Sequence, residues 1–322
     1  MQPETRAHDT RMRLTAIRYA AEGVNIYQFE PIEAARTFRV DPGASVDIDL
    51  PVGLTRSYSL INPAEQSREL AIAVKLDANS RGGSRWLHAD ARVGMVMNVS
   101  DPRNGFPLDD SGAPCVFLAG GIGITPIWSM IQCCVRRNRP WELHYGARAP
   151  ADAAFARDIQ ALNRPVRMVY QSGTEPRLID IRQVIAAAPS GAQFYCCGPA
   201  PMLAAYKEAT ETVDPARVHL EYFTPAEDFS NRESGSFRVR LARQDRTVSV
   251  PAGESILEVL LNLGMDVPRS CRQGMCGKCE TRVLAGLPDH RDSILTVREK
   301  SSNKTMMICC SRATTDELVL DL

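Results

Sequence analysis

The 322-residue chain lacks net charge: 38 Lys and Arg balance 38 Asp and Glu. No summed field therefore draws it to nucleic acid or to an anionic membrane surface. It also lacks a basic stripe with interleaved aromatics, and aromatic residues make up only 6% of it. Histidine is scarce, and none of the five has the spacing of a metal pair. Long apolar runs are missing as well. The most apolar stretch, APCVFLAGGIGITPIWSMI, is broken by glycines and a proline. It reads as a buried strand, loop and helix rather than a membrane span. The opening MQPETRAHDTRMRL holds no apolar core of signal-peptide length. There is no low-complexity block and no internal repeat. The expectation is a cytoplasmic globular protein that binds neither nucleic acid nor membrane.

Cysteine, by contrast, is plentiful. Disulfides are rare in the cytosol, so ten cysteines point to metal or redox chemistry for some and plain burial for others. Three of them crowd into SCRQGMCGKCE: Cys271, then Cys276 after four residues, then Cys279 after two, and Cys309 after 29 more. A C-x4-C-x2-C run with a distant fourth cysteine is the plant-type [2Fe–2S] spacing. Four thiolates hold such a cluster, and small residues between the ligands let the backbone wrap it and aim N–H groups at its sulfurs. Zinc is the rival reading, but its sites ordinarily use two CxxC-like knuckles, and here the fourth thiol stands alone. Chance burial is the bland one. Cys310 adjoins Cys309, and spacing alone does not choose between them.

Length implies two or three domains, at roughly 100–200 residues each. Residues 1–108 are rich in short alternating runs separated by Gly, Pro and Asn turns, which suits an antiparallel β-barrel. Over 109–225 strand alternates with helix: CVFLAGG, TPIWSMIQCCVRR, WELHYGAR, DAAFARDIQALN, VRMVYQS, DIRQVIAAA, AQFYCCG, PAPMLAAYKEATE and RVHLEYF. That alternation predicts a parallel sheet in an α/β domain. The polar stretch 226–236 reads as a linker, and 237–322 as an α+β domain around the cysteine segment.

Two turns in the middle domain suit phosphate-bearing ligands. AGGIGITP, 119 to 126, ends an apolar strand and opens a helix, and YCCGPAPM, 195 to 202, does the same. Glycines there let a ligand approach backbone N–H groups and a helix N-terminus, and both turns fall at the carboxyl ends of parallel strands, where such sheets bind ligands. A tight turn with no ligand is the alternative for either one. In the barrel, strict alternation in RSYSL places Arg56, Tyr58 and Leu60 on one face and Ser57 and Ser59 on the other. An ordinary barrel strand or a wall for a flat heteroaromatic ring would both look this way. RGGS, Arg81 to Ser84, is either a phosphate nest or a plain turn.

Together RSYSL, AVK at 73–75, RGGS, AGGIGITP, YCCGP and the cysteine run resemble phthalate dioxygenase reductase and vanillate demethylase reductase, over essentially the whole chain. Even the tail SRATTDELVLDL is similar. The resemblance implies an NADH-dependent reductase carrying FMN and a plant-type [2Fe–2S] cluster, a monomer that passes electrons to a terminal Rieske oxygenase. It also implies the order of an FMN-binding barrel, an NAD(H)-binding α/β domain and a ferredoxin-like domain. Residue by residue, it assigns Arg56, Ser57, Tyr58 and Ser59 to the flavin ring and ribityl chain, with Ala73, Val74 and Lys75 close by. Arg81, Gly82, Gly83 and Ser84 would take the phosphate. Gly120, Gly121, Gly123, Gly198 and Pro199 would line the nucleotide site. Thr125 and Cys197 would hold the nicotinamide against the flavin, and Phe223 would stack on or near it. Matching CCSRA to the family pattern makes Cys309 the fourth ligand beside Cys271, Cys276 and Cys279. A reductase for a haem or other non-Rieske acceptor and a non-enzymatic redox sensor are the competing functions. The two nucleotide turns argue against the sensor.

Several residues read as bland. Cys133 and Cys134 in a predicted helix, and Cys115 and Cys196 on predicted strands, suggest packing. Arg148 reads as solvated rather than as a partner for a 2′-phosphate, and His290 in LPDHRDS as a surface histidine.

Overall fold

The computed structural model describes residues 9–62, 66–173, 177–223, 235–269, 271–275, 277–295 and 297–322. Contacts divide the chain into two compact units, Met1–Phe223 and Thr224–Leu322. Most of the expected linker falls outside the described residues.

The first unit begins with strands β1 (Asp9–Ala21), β2 (Val24–Pro31), β3 (Phe38–Arg39), β4 (Ser45–Leu50), β5 (Leu54–Ser59), β6 (Gln66–Ser67) and β7 (Leu70–Lys75), helix α1 (Gly83–Ala89) and strand β8 (Val96–Ser100). Six of these strands form an antiparallel sheet in the order β5-β4-β8-β1-β2-β7. A bridge between Leu60 and Ile72 joins its two ends and closes the barrel. Period-2 alternation explains the interior: Met12, Leu14, Tyr27, Phe29, Ile48, Leu50, Ile72 and Val99 point into one apolar core.

The outer face of the same sheet is also apolar at one place, and there the α/β layer packs. That layer contains β9 (Cys115–Gly120), α2 (Ile124–Arg136), β10 (Trp141–Ala147), α3 (Ala156–Gln160), β11 (Val166–Tyr170), α4 (Ile181–Ala187), β12 (Gln193–Cys197), α5 (Ala200–Ala209) and β13 (Val218–Glu221). Its sheet has the order β11-β10-β9-β12-β13, with every pair parallel. Ala71 and Ala73 of β7 and Phe106 and Leu108 beyond β8 share a core with Phe117, Ile124 and Ile127. The barrel also donates from Gly43 N to Ser129 Oγ at 2.9 Å and accepts from Gln132 Nε2 at the Ile61 carbonyl at 3.0 Å. Cys133 and Cys134 are fully buried packing residues, as are Cys115 and Cys196.

Two segments fold otherwise than their sequence suggests. DAAFARDIQALN is not one helix: a short 3-10 turn at Pro150–Asp152 precedes α3, and Phe155 between them is left-handed, with φ of 59°. RGGS is not a free turn either, since its second glycine starts α1.

The second unit contains β14 (Phe237–Leu241), β15 (Arg246–Val250), α6 (Ile256–Asn262), β16 (Glu280–Ala285), β17 (Pro288–Asp289), α7 (Val297–Ser302), β18 (Thr305–Met307), β19 (Arg312–Ala313) and β20 (Glu317–Leu320). The main sheet runs β15-β14-β20-β16-β18, and β14 and β20 pair in parallel. A capping box starts α6: Ser255 Oγ accepts from Glu258 N, and Glu258 accepts in return from Ser255 N. Ile256, Leu257, Val259 and Leu260 then pack on the sheet, in a core that also includes Cys279 and Cys309. The cysteine segment thus hangs from this core.

The barrel closure supplies a stability test. Ile72 is fully buried and bridges Leu60, so I72A is expected to cost about 2–5 kcal/mol. The check is denaturant unfolding followed by circular dichroism; a loss below 1 kcal/mol would show that the closure carries little weight.

Candidate functional site

In the parallel sheet the chain moves outward from β9 to β10 and β11, then returns to β12 on the other side of β9. The crevice beyond β9 and β12 is therefore the topological switch point, where open α/β sheets bind ligands. Both glycine turns lie there. Gly120 and Gly198 approach so closely that a Cβ built on Gly120 would fall 2.6 Å from Pro199 Cδ and 3.2 Å from Gly198 Cα. A Cβ on Gly123 would fall 2.2 Å from the Cys197 carbonyl oxygen. Backbone thus lines the crevice because nothing larger fits.

Thr125 and Cys197 are brought to this place. Thr125 is buried, and its hydroxyl donates to the Ile122 carbonyl at 3.0 Å, fixing the first turn of α2. Cys197 is fully buried, and burial, followed by the nearby Glu221, pushes its thiol well up. The thiol is therefore protonated and not a nucleophile.

Glu221, which no sequence motif marked, pairs with Cys197 across β12 and β13. The residue as a whole is half-buried, yet its Oε2 is sealed from solvent with no hydrogen-bond partner. Burial pushes its carboxyl up to about 8, against the opposing pull of Arg103. A neutral acid group therefore sits at the strand ends beside the glycine turns.

Farther along the sheet, beyond β11, lies a cavity of about 420 Å³ lined by Arg167, Tyr170, Ser172, Arg177 and Gln183, among others. Its cations and polar groups suit an anionic or hydroxylated ligand. Arg148 takes no part: it is exposed and paired with Asp152 at 3.0 Å.

On the barrel, Arg56 and RGGS come together. The Arg56 side chain lies against Gly83, where a Cβ would meet Arg56 Cγ at 2.7 Å, and its Nη2 donates to the Arg81 carbonyl at 2.8 Å. Burial lowers the Arg56 pKa, and the Arg81 charge lowers it further. Among the described residues neither arginine has an acidic partner. Two facing cations at a helix start fit a phosphate group. Tyr58 is half-buried on the barrel core, and burial raises its hydroxyl pKa. Ser57 turns to the opposite face and donates to Asp47 Oδ1 at 2.5 Å, while Ser59 is buried. Ala73 and Val74 are buried on β7, Lys75 is half-buried at its end, and Phe223 is exposed.

In the second unit the cysteine loop already has the form of a thiolate cradle. The N–H groups of Gln273 and Met275 each face Cys271 Sγ at 3.4 Å, and Gly274 N donates to Cys309 Sγ at 3.2 Å. Cys279 lies within hydrogen-bonding reach of Cys309. Cys310 also lies within hydrogen-bonding reach of Cys309, and its Sγ faces the Met307 carbonyl at 3.7 Å. Among the described residues no three His, Cys, Asp or Glu side chains enclose a single metal ion, and the expected ligand Cys276 lies outside them. Thiols that collect backbone N–H groups are the donor set an iron–sulfur cluster requires. His290 is not a surface residue: only 9% of its side chain is exposed, because Asn303 and Asp292 enclose it.

Comparison with known proteins agrees with this geometry. Residues 239–314 match the 2Fe-2S iron-sulfur cluster binding domain, and residues 117–208 the oxidoreductase NAD-binding domain. The chain is 48% identical over 311 residues to phenoxybenzoate dioxygenase subunit beta from Ectopseudomonas oleovorans, covering 97% of each. It is 34% identical to the solved structure of phthalate dioxygenase reductase, with a TM-score of 0.76 and 98% of each chain covered. The chain belongs to the phthalate dioxygenase reductase family. It is an NADH-dependent flavin and iron–sulfur oxidoreductase, with FMN, NADH and a [2Fe–2S] cluster as its cofactors. A type IV self-sufficient cytochrome P450 monooxygenase is also similar, at 33% identity and a TM-score of 0.84; the match takes in the whole of this chain and 43% of that one. No helix among the described residues is long and apolar enough to cross a membrane.

The Glu221 carboxyl has a pH signature. The folded protein holds this proton more tightly than the unfolded chain, so the contribution is fully present below the ordinary carboxylate value of 4.5 and is lost as pH rises through about 8. E221Q is expected to flatten the fall in melting temperature across that window. An unchanged slope would show that Glu221 is ionised in the folded protein.

Proposed function

We propose that this chain is the reductase component of a Rieske oxygenase, supplying a separate terminal oxygenase with electrons from NADH. The observation that carries the reading is the cysteine loop, whose backbone N–H groups converge on Cys271 and Cys309, in a chain that also has a glycine-lined crevice at its sheet switch point. NADH gives two electrons at once and a [2Fe–2S] cluster accepts one; bound FMN supplies the conversion between the two.

The chain's own groups hold and orient. The strand Arg56, Ser57, Tyr58 and Ser59 meets the flavin, Arg56 and Tyr58 on one face and Ser57 and Ser59 on the other, with Ala73, Val74, Lys75 and Phe223 around it. Arg81, Gly82, Gly83 and Ser84 take its phosphate, and the Arg56 cation offsets negative charge on the ring. Gly120, Gly121, Gly123, Gly198 and Pro199 admit the nicotinamide half of NADH, which Thr125 and Cys197 press toward the flavin. The cavity beyond β11 receives the adenosine half. Cys271, Cys276, Cys279 and Cys309 ligate the cluster. The corresponding domains are 1–108, 109–225 and 237–322, with a linker over 226–236.

Direction follows from potential. A plant-type cluster lies near about −400 mV and Rieske centres between roughly −150 and +300 mV, so transfer is downhill by about 250 mV or more. The similarity to a cytochrome P450 monooxygenase favours a second reading, in which the acceptor is a haem protein. In either case the chain works as a cytoplasmic monomer without nucleic acid or membrane.

C271S is expected to abolish reduction of cytochrome c and of an oxygenase partner while leaving the rate of flavin reduction by NADH within about twofold. Flavin reduction lost along with cytochrome c reduction, in a folded protein, would overturn the division of labour. Reduction of isolated Rieske oxygenases and of P450 haem by the same preparation separates the two acceptors.

A further inference from the structure

Behind the cysteine loop lies a buried charged strap that the electron path does not use. Asp292 is fully sealed, with 0% side-chain exposure. Its Oδ2 accepts from the N–H groups of Ile294 at 3.2 Å and Leu295 at 2.8 Å and faces Lys300 Nζ at 3.7 Å. Lys300 also donates to the Asp292 carbonyl. Oδ1 faces His290 Nδ1 at 3.7 Å, too far for a direct hydrogen bond, and neither atom has another partner. His290 is pinned from its other side by Asn303 Oδ1 at 3.2 Å. A carboxylate is costly to bury even when paired, so this one holds a local geometry at some expense in stability.

The held geometry touches the cluster ligands through one peptide. Ser293 N donates to the Gly274 carbonyl at 2.9 Å. That carbonyl and the Met275 N–H belong to the same peptide unit, and the N–H faces Cys271 Sγ. Gly274 contributes the neighbouring N–H to Cys309 Sγ. Its φ is +69°, and a Cβ there would fall 2.8 Å from Asp292 Cα and 2.5 Å from Cys310 Sγ, so loop and strap lie in backbone contact with no slack. Accepting a hydrogen bond at its carbonyl both orients a peptide and polarises its N–H.

We infer that Asp292 is a positioning residue for the iron–sulfur cluster: it locks the 290–295 strap, whose Ser293 N–H grips the Gly274 carbonyl and sets the N–H···S contacts to Cys271 and Cys309. The inference rests on the reading of those cysteines as ligands. Such contacts stabilise the charge added on reduction and retain the ligands on the metal.

The test compares D292A with D292N in the full-length protein. Both remove the same charge, but asparagine keeps an Oδ acceptor for the Ile294 and Leu295 N–H groups. Cluster midpoint potential, visible circular dichroism and iron release to a chelator are measured for each. D292A is expected to lie below D292N in potential, to alter the cluster dichroism and to release iron about 10- to 100-fold faster. D292N is expected to keep the wild-type dichroism and release rate. Equal potentials and equal release rates for the two variants would overturn the inference, as would failure of both to take up iron. If D292A does not fold, Asp292→Ser takes its place, its hydroxyl being too short for both N–H groups. A wild-type protein holding no iron and sulfide would instead sink the ligand reading itself.

Discussion

Both sites depend on bare backbone coming close to a charged guest. In the crevice the turns at Gly120 and Gly198 meet without room for a Cβ, so the ends of β9 and β12 can only present main chain. Around the cysteine segment the same requirement appears as N–H groups turned toward Cys271 and Cys309. Peptide dipoles cost no side-chain entropy and bring no net charge of their own. The barrel side of the first unit works differently, by collecting the two cations Arg56 and Arg81.

The two compact units of the chain differ in how they bury their candidate site residues. Hydride transfer requires two flat rings held face to face in a site closed to water, and the first unit buries Thr125 and Cys197 beside the glycine turns. One-electron transfer requires only that a metal centre be tightly ligated and reachable. The second unit accordingly buries Cys279 and Cys309 in its core and leaves Cys271 half-buried.

Much of this was legible in the sequence because it rests on local spacing. The run from Cys271 to Cys279 with its distant fourth cysteine favours one chemistry over zinc, and two glycine turns, each between an apolar strand and a helix, together suggest a nucleotide site. Glu221 was not legible, since a single acidic residue at a strand end has no periodicity, and its burial arises only when β13 pairs with β12. His290 was misread for a related reason: LPDHRDS is polar, and only the return of the chain through α7 and Asn303 covers it. Helix α1 was hidden because it begins at the second of two adjacent glycines, which ordinarily mark turns, and runs for only seven residues. Phe155 broke an otherwise regular helical pattern through a backbone angle that composition does not reveal.

The relay runs inside one chain, from a two-electron nucleotide donor to a one-electron cluster. The most direct test is an anaerobic stopped-flow titration with NADH, on protein assayed for flavin, iron and sulfide. A relay requires bound FMN with iron and sulfide in equal amounts, flavin absorbance bleached first and cluster absorbance afterwards. Cluster bleaching that precedes flavin bleaching, or a cluster that stays oxidised while the flavin is fully reduced, would contradict it.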